Sequence, residues 1–377
     1  MSYIIAIDEK LCTVHLKPRY FLAKDFMVYS YSQGIVNSQS SGIQSECCYQ
    51  GYVKGYPNSL AILSACSGLR GILQFENVSD GIEPLDSTVE FQHVLYQLGN
   101  ENNELGILTE NSRSMEKYSV DYNIFISEKP ETPIPDLLPL YLEMYVVVDK
   151  ALYDYLGSDS MTVTNKVIEM INIVNSEQSH LQLLAQYLPM HIIVEKALYE
   201  YMGPEMMALT PKIVQVIGLV NTMFTQLKLT VILSSLELWS GKNQISTDGD
   251  ADDILQRLLA WKQNSLIRRP HDIAYLLIYR KHPHYVGATF PGITYNKKYN
   301  AGVAVFPDGV SLEGFSVIIA QLLGLNIGLT YDDINNCSCP RATCVMNHES
   351  VSSSGIKIFS NCSMHEYRHF VSKIEAD

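Results

Sequence analysis

The stretch SLEGFSVIIAQLLGLNIGLTYD, Ser311–Asp332, reads as a helix that passes through Gly328 into an acidic turn, with its apolar residues at helical spacing. Zinc-dependent hydrolysis on such a helix needs two imidazoles four residues apart on one face and a third beyond a glycine turn. It also needs a carboxylate to take the proton from metal-bound water. No histidine occurs between Ser311 and Asp332. Leucine has no lone pair to offer, a carboxamide oxygen is a weak zinc ligand, and a tyrosine with a reference pKa near ~10 stays protonated. The stretch is therefore read as an amphipathic core helix.

A length of 377 residues favours two or three domains, and 47% hydrophobic with 18% charged residues is a globular composition able to bury a sizeable core. A net charge of −13 and a pI near 5.2 argue against nucleic acid or an anionic membrane as a general partner. No apolar run is read as reaching the length of a membrane span. The start, MSYIIAIDEK, lacks a basic segment, and its apolar run stops at Asp8, short of a signal peptide. Four of the eight cysteines crowd into Cys337–Cys362 at spacings that suit small disulfide loops. Zinc is the rival reading there, weakened by the lack of any C-x2-C pair.

Residues 1–125 read as short strands, Tyr3–Ile7, Cys12–Leu16, Phe26–Ser32, Gly51–Val53, Leu60–Ser64, Gly71–Phe75 and Glu90–Leu95, in a mostly antiparallel unit. EKPETPIPDLLP, with four prolines in twelve residues, marks a stiff linker across 126–140. It holds no dibasic cleavage site, so the N-terminal unit is expected to stay attached. Residues 141–377 alternate strands and helices, which predicts an α/β domain with a mixed sheet. Its strands are Tyr141–Val148, Leu229–Leu238, Ile273–Arg280, Gly287–Phe290 and Gly302–Phe306. Its helices are Val163–Val174, Ala251–Asn264 after Asp248 and Asp250, the quoted stretch, and a terminal helix in FSNCSMHEYRHFVSK.

The α/β region repeats itself. YLEMYVVVDKALYDYLG, Tyr141–Gly157, and YLPMHIIVEKALYEYMG, Tyr187–Gly203, agree at ten of seventeen positions, and residues 141–186 recur as 187–232. Two copies are too few for a solenoid, so this is a duplicated strand-helix segment inside one domain. Both Val146–Val148 and Ile192–Val194 suit an interior strand. Asn221–Lys228 leads directly into Leu229–Leu238, so the Tyr187 copy is expected in the sheet. The Tyr141 copy is expected outside it, as a surface helix with an edge or disordered strand.

Several stretches carry a family resemblance: YQGYVKGYPNS at Tyr49–Ser59, SACSGLRGILQFEN at Ser64–Asn77, IEPLDS at Ile82–Ser87, the frame Ala320–Asp332, and CVMN at Cys344–Asn347. In order, they resemble the ADAM (reprolysin) metalloproteinases, closest to the sperm-surface, fertilin-beta-like members with degenerate zinc sites. The family's zinc pattern AHExGHNxGxxHD falls on Ala320–Asp332. Gly324, Asn326, Gly328 and Asp332 remain, while the three histidine positions read Gln321, Leu325 and Tyr331 and the glutamate position reads Leu322. The resemblance implies a metzincin-like α/β domain behind a prodomain, a Met-turn at Met346, and disulfides Cys337–Cys362, Cys339–Cys344 and Cys47–Cys66. With those replacements it implies no zinc or other cofactor, no catalytic residue, and a role carried by surfaces. The implied role is sperm-surface adhesion, sperm maturation or complex assembly with other sperm-surface or ADAM-like proteins, in the secretory pathway or at the cell surface. An active metalloendopeptidase and a truncated product without a role of its own are the alternatives.

Other sites tempt by letter. His365, Glu366 and His369 satisfy HExxH, yet only eight residues follow His369, too few for a third ligand of the usual kind. His282 and His284 read as an exposed loop, and His271-Asp272 as a strand entry. Asn77 heads an N-glycosylation pattern, and Asn336 and Asn361 head weaker ones with cysteine in the middle.

Overall fold

The computed structural model describes residues 1–7, 10–32, 35–40, 47–56, 58–65, 68–76, 78–85, 93–98, 122–127, 150–156, 163, 186–265, 271–292, 299–332, 337–340 and 342–376. The N-terminal strands are β1 (Ser2–Ile7), β2 (Lys10–Pro18), β3 (Leu22–Ser32), β4 (Ile35–Ser40), β5 (Cys48–Val53), β6 (Leu60–Ser64), β7 (Arg70–Gln74), β8 (Ser79–Pro84) and β9 (His93–Leu98). Seven of them form an antiparallel sheet in the order β1-β2-β5-β6-β7-β8-β9. Alternation selects its inner face: Cys12, Val14 and Leu16 of β2 are buried together with Val53, Leu63, Leu73 and Ile82.

After β10 (Ile124–Ile126) and α1 (Lys150–Leu156) come β11 (Gln186–Val194), α2 (Lys196–Met202), α3 (Met206–Phe224), β12 (Leu229–Leu238), α4 (Ala251–Ser265), β13 (Ile273–Arg280), β14 (Gly287–Thr289), β15 (Ala301–Pro307), α5 (Leu312–Asn326) and α6 (Asn361–Ala376). The second sheet is mixed, in the order β10-β14-β15-β13-β11-β12-β3-β4. β14 runs antiparallel to β15, whereas β3, β12, β11, β13 and β15 run parallel to their neighbours in that series. α4 covers one face through Ile254, Leu255 and Leu258, packed with Leu276, Ile278, Val303 and Val305. α3 and α5 pack on the other through Val216, Ile217, Val317 and Leu322.

One assignment from the sequence changes. Phe26–Ser32 was expected to pair within the N-terminal antiparallel unit. It lies instead in β3, parallel to β12, with β4 outside it. A strand pattern specifies a buried face and not a partner. β12 is buried along most of its length, so an unpaired edge there would strand backbone donors and acceptors. β3 satisfies them, and the Leu233 amide donates to the Phe21 carbonyl at 2.8 Å just beyond the ladder.

β11, from the Tyr187 copy, takes the interior place between β12 and β13, with Met190, Ile192, Ile193 and Val194 fully buried. The strand Tyr141–Val148 and most of the helix Val163–Val174 lie outside the described residues. α1, from the Tyr141 copy, is surface-exposed, and its Tyr155 is 85% exposed.

Downstream of β11, the 22 residues Met206–Leu227 are long and apolar enough to cross a bilayer, a length that no stretch was expected to reach. They are instead the central core helix, apolar on most sides because β12, α5 and β6 all pack against them. Asn221 staples this helix to the sheet: its side-chain oxygen accepts from the Val231 amide at 2.8 Å and its NH2 donates to the Val231 and Ile217 carbonyls. Lys228, at φ 52°, then turns the chain into β12.

Candidate functional site

Every residue of α5 from Glu313 to Asn326 is buried. Ser311 caps the helix by accepting from the Gly314 amide at 3.0 Å, and Gly328, at φ 84°, supplies the left-handed turn that ends it. Gly324 leaves room for Met346 beneath the helix, since a Cβ there would stand 2.7 Å from the Met346 sulfur. Asn326 ties the helix to β13 and β14. It accepts from the Tyr275 hydroxyl at 2.5 Å and donates to Thr289 Oγ1 at 2.7 Å and to the Phe290 carbonyl at 2.9 Å.

At the four positions of interest, each side chain has a structural occupation. Gln321 is fully buried, and its Nε2 donates to the carbonyls of Val345 and Asn347, both at 2.9 Å, and to Ser350 Oγ at 3.1 Å. Two carbonyl acceptors fix the amide with its nitrogen toward that loop, so its oxygen faces the interior without a partner. Leu322 and Leu325 belong to the main apolar core, and Leu322 packs over Gly287. Tyr331 stacks on His348, with centroids 3.9 Å apart and planes 22° apart. Its hydroxyl is buried without a well-formed hydrogen bond; burial pushes its pKa well up, opposed by the nearby Ile124 backbone.

Zinc does not fit this donor set. The frame offers two leucines, a phenol held in its protonated form, and one carboxamide whose NH2 is engaged in hydrogen bonds. The sheet edge beside the helix is filled as well, because β10 pairs with β14 in parallel, Ile124 opposite Gly287 and Ile126 opposite Thr289. The Val286 amide donates to the Asn123 carbonyl and the Ser127 amide to the Thr289 carbonyl, both at 2.9 Å. An extended peptide has no free ladder to join along this β14 edge.

Below the helix, Asp332 accepts hydrogen bonds from Ser360 and Ser363 and donates its amide to the Met346 carbonyl at 3.0 Å. Burial pushes its carboxyl up, the two serines oppose the shift, and Glu366 adds to it. Disulfides join Cys337 to Cys362 and Cys339 to Cys344. Among the described residues, the one convergence of three His, Cys, Asp or Glu side chains is Asp332 with Cys337 and Cys362, whose sulfurs are already joined. Cys47 is disulfide-bonded, and Cys66 lies outside the described residues, as do Asn77 and Asn336.

The HExxH of the tail does not form a site. His365 and His369 lie on the exposed side of α6, while Glu366 accepts from the Thr330 amide at 2.9 Å and from its hydroxyl at 2.5 Å. His282 and His284 are exposed, and the Asn361 side chain accepts from the Ser338 amide at 2.8 Å.

Sequence reasoning missed the buried ionisable residues. Glu195 accepts from the Tyr279 amide at 2.7 Å and pairs with Arg280 at 2.8 Å. His191 meets Ser235 at 2.7 Å and faces Glu237 at 3.5 Å, an arrangement closed to solvent and so structural. The usable signal was a charged letter inside an apolar run, as in MHIIVEK.

A family model described as reprolysin (M12B) family zinc metalloprotease matches residues 140–184 and 186–377, a match broken between the two copies, and a reprolysin family propeptide model matches residues 1–54. Disintegrin and metalloproteinase domain-containing protein 32 of Homo sapiens is 53% identical over 374 residues, covering 99% of this chain and 41% of that protein. Protein 18 of the same series, also of Homo sapiens, is 56% identical over 376 residues, covering 100% and 44%. Protein 2 of Homo sapiens is 41% identical over 373 residues, covering 99% and 44%. The chain thus spans less than half the length of these curated relatives.

Proposed function

Because the chain belongs to the reprolysin (M12B) metalloproteinase family, yet spends its zinc-ligand positions on packing and hydrogen bonding, we propose that it is a catalytically inactive ADAM-type protein that acts through its surfaces. The observation that carries this reading is Gln321, whose carboxamide NH2 clamps the Met346 loop through the Val345 and Asn347 carbonyls, with Ser350 Oγ beside them. With β10 along β14, the groove where a peptide would lie is occupied by the chain itself. In this reading residues 1–125 are prodomain-like, 126–140 a linker and 141–377 the metalloproteinase-like domain. Met346 is a floor of the core, Asn77 a glycosylation site, and Cys47–Cys66 the remaining bridge. Resemblance to the fertilin-beta-like members supports work at the sperm surface, in adhesion, maturation or assembly with ADAM-like or other surface proteins.

Metal content after dialysis, together with casein hydrolysis, tests the proposal. No stoichiometric zinc and no hydrolysis are expected, since the missing ligands remove nearly all of the ~10–16 kcal/mol that a well-formed zinc site supplies. Stoichiometric zinc that is lost on mutating His365 and His369 would overturn it. Restoring one ligand should not rescue chemistry: Gln321→His is expected to bind no zinc. It is also expected to lose about 1–3 kcal/mol of stability, because a neutral imidazole has one donor for the carbonyls that Gln321 now serves. Melting curves and elemental analysis of the same sample read both outcomes.

A further inference from the structure

Glu313 is a carboxylate at the start of the core helix, 3% exposed, and its partners come from both ends of the chain. Its Oε1 accepts from Gln74 Nε2 at 2.5 Å and Ser79 Oγ at 2.9 Å, and Lys357 Nζ stands 3.5 Å away. All three partners are themselves buried. Gln74 also donates to the Gly355 carbonyl at 3.3 Å, and Ser79 Oγ accepts from the Gly355 amide at 3.0 Å. The Ile356 amide donates to the Phe75 carbonyl at 3.2 Å, which extends the seam. Burial lowers the Lys357 pKa, and the neighbouring Glu313 pulls it back up. A buried charge is tolerated only when paired and hydrogen-bonded, and here two of the groups that satisfy Glu313 belong to β7 and β8.

The same N-terminal region closes both edges of the central sheet, β3 and β4 beyond β12 and β10 beyond β14. It also adds Phe21, Phe26, Val28 and Ile124 to the main core, and packs Ile62 and Ile72 on Leu219 of α3. Cys337–Cys362 and Cys339–Cys344 both lie on the C-terminal side, so neither bridge holds the two parts together.

We propose that residues 1–127 are a permanent noncovalent partner of residues 186–376, latched by the Glu313 carboxylate, so that a cut between them does not release the N-terminal region. The inference stands apart from the question of catalysis, because an active and an inactive chain would share this seam.

A site for a specific protease placed within residues 131–140 of the full chain tests it. After cutting, size exclusion is expected to give one particle holding both pieces, in low and in high salt, while a reducing denaturing gel shows two bands. An N-terminal piece that elutes alone from a folded remainder overturns the proposal. Nicked Glu313→Gln should release its N-terminal piece on dilution about tenfold faster or more, since it weakens hydrogen bonds to a charged acceptor. Release at the unmutated rate removes the latch. If Glu313→Gln does not fold, Gln74→Leu takes its place, withdrawing a donor to the same oxygen from the other piece, with the same two outcomes.

Discussion

A chain lacking residues 187–232 should fold around its remaining copy and lose about 5 kcal/mol or more, roughly 10–20 °C in melting temperature for a domain of this size. A chain lacking residues 141–186 should melt with the intact protein. The asymmetry follows from what each copy brings to one slot. Leu142, Met144 and Asn175 match Leu188, Met190 and Asn221, so the upstream copy can supply the strand and the staple to β12. Val146 and Val147 in place of Ile192 and Ile193 leave small voids, at ~1 kcal/mol each. The decisive loss comes at the end of α3. Phe224 is fully buried, 4.9 Å edge-to-face from Phe359, and Met223 is buried beside it, whereas the upstream copy places Gln178 and Glu177 there. A glutamine in an aromatic slot and a carboxylate in an apolar one each cost several kcal/mol. Equal melting of the two deletion chains, or unfolding of the chain lacking 141–186, would show that the slot is not selective in this way.

The second large effect is expected at Asn326, which serves three buried partners on two strands. Asn326→Leu keeps the heavy-atom count but removes the acceptor of the Tyr275 hydroxyl, the donor to the Phe290 carbonyl and a donor to Thr289. Unsatisfied buried groups cost about 1–3 kcal/mol each, so a loss of about 3–5 kcal/mol is expected, or roughly 6–20 °C by calorimetry. Tyr275→Phe alone removes one of the three partners and should cost about a third as much. An Asn326→Leu chain that melts within ~2 °C of the parent would show that the helix is held by packing alone.

Much of the fold was legible where one element carries its own signal. Leu229–Leu238 and Ile273–Arg280 stand as strands with the bounds that their apolar runs suggest, and Ser311 and Gly328 bracket the core helix that follows them. What escaped depends on relations between distant segments. β10 has three residues, too few for any periodicity, and β3 carries a strand pattern that is silent about which sheet it joins. Connectivity favoured the Tyr187 copy for the sheet, but Phe224 and Met223, the residues that make the choice energetic, gain meaning only once Phe359 is beside them. At the site, the replaced positions could be read from the letters. The new work of Gln321 could not, because Val345, Asn347 and Ser350 lie more than twenty residues downstream. The tail HExxH shows the converse, a correct spacing on a helix whose glutamate is committed to Thr330.

Cys47 and Cys48 are sequence neighbours with opposite fates, one bonded and the other a free thiol sunk in the main core. Burial pushes the Cys48 thiol up to about 11. At neutral pH Cys48 is then almost wholly the thiol, with little of the thiolate that attacks a disulfide. The other free thiol, Cys12, is shut inside the separate core of the N-terminal sheet. Once the chain has folded, an oxidising surrounding therefore finds no ready nucleophile next to the bridge of Cys47, and pairing errors are confined to the time before the cores close.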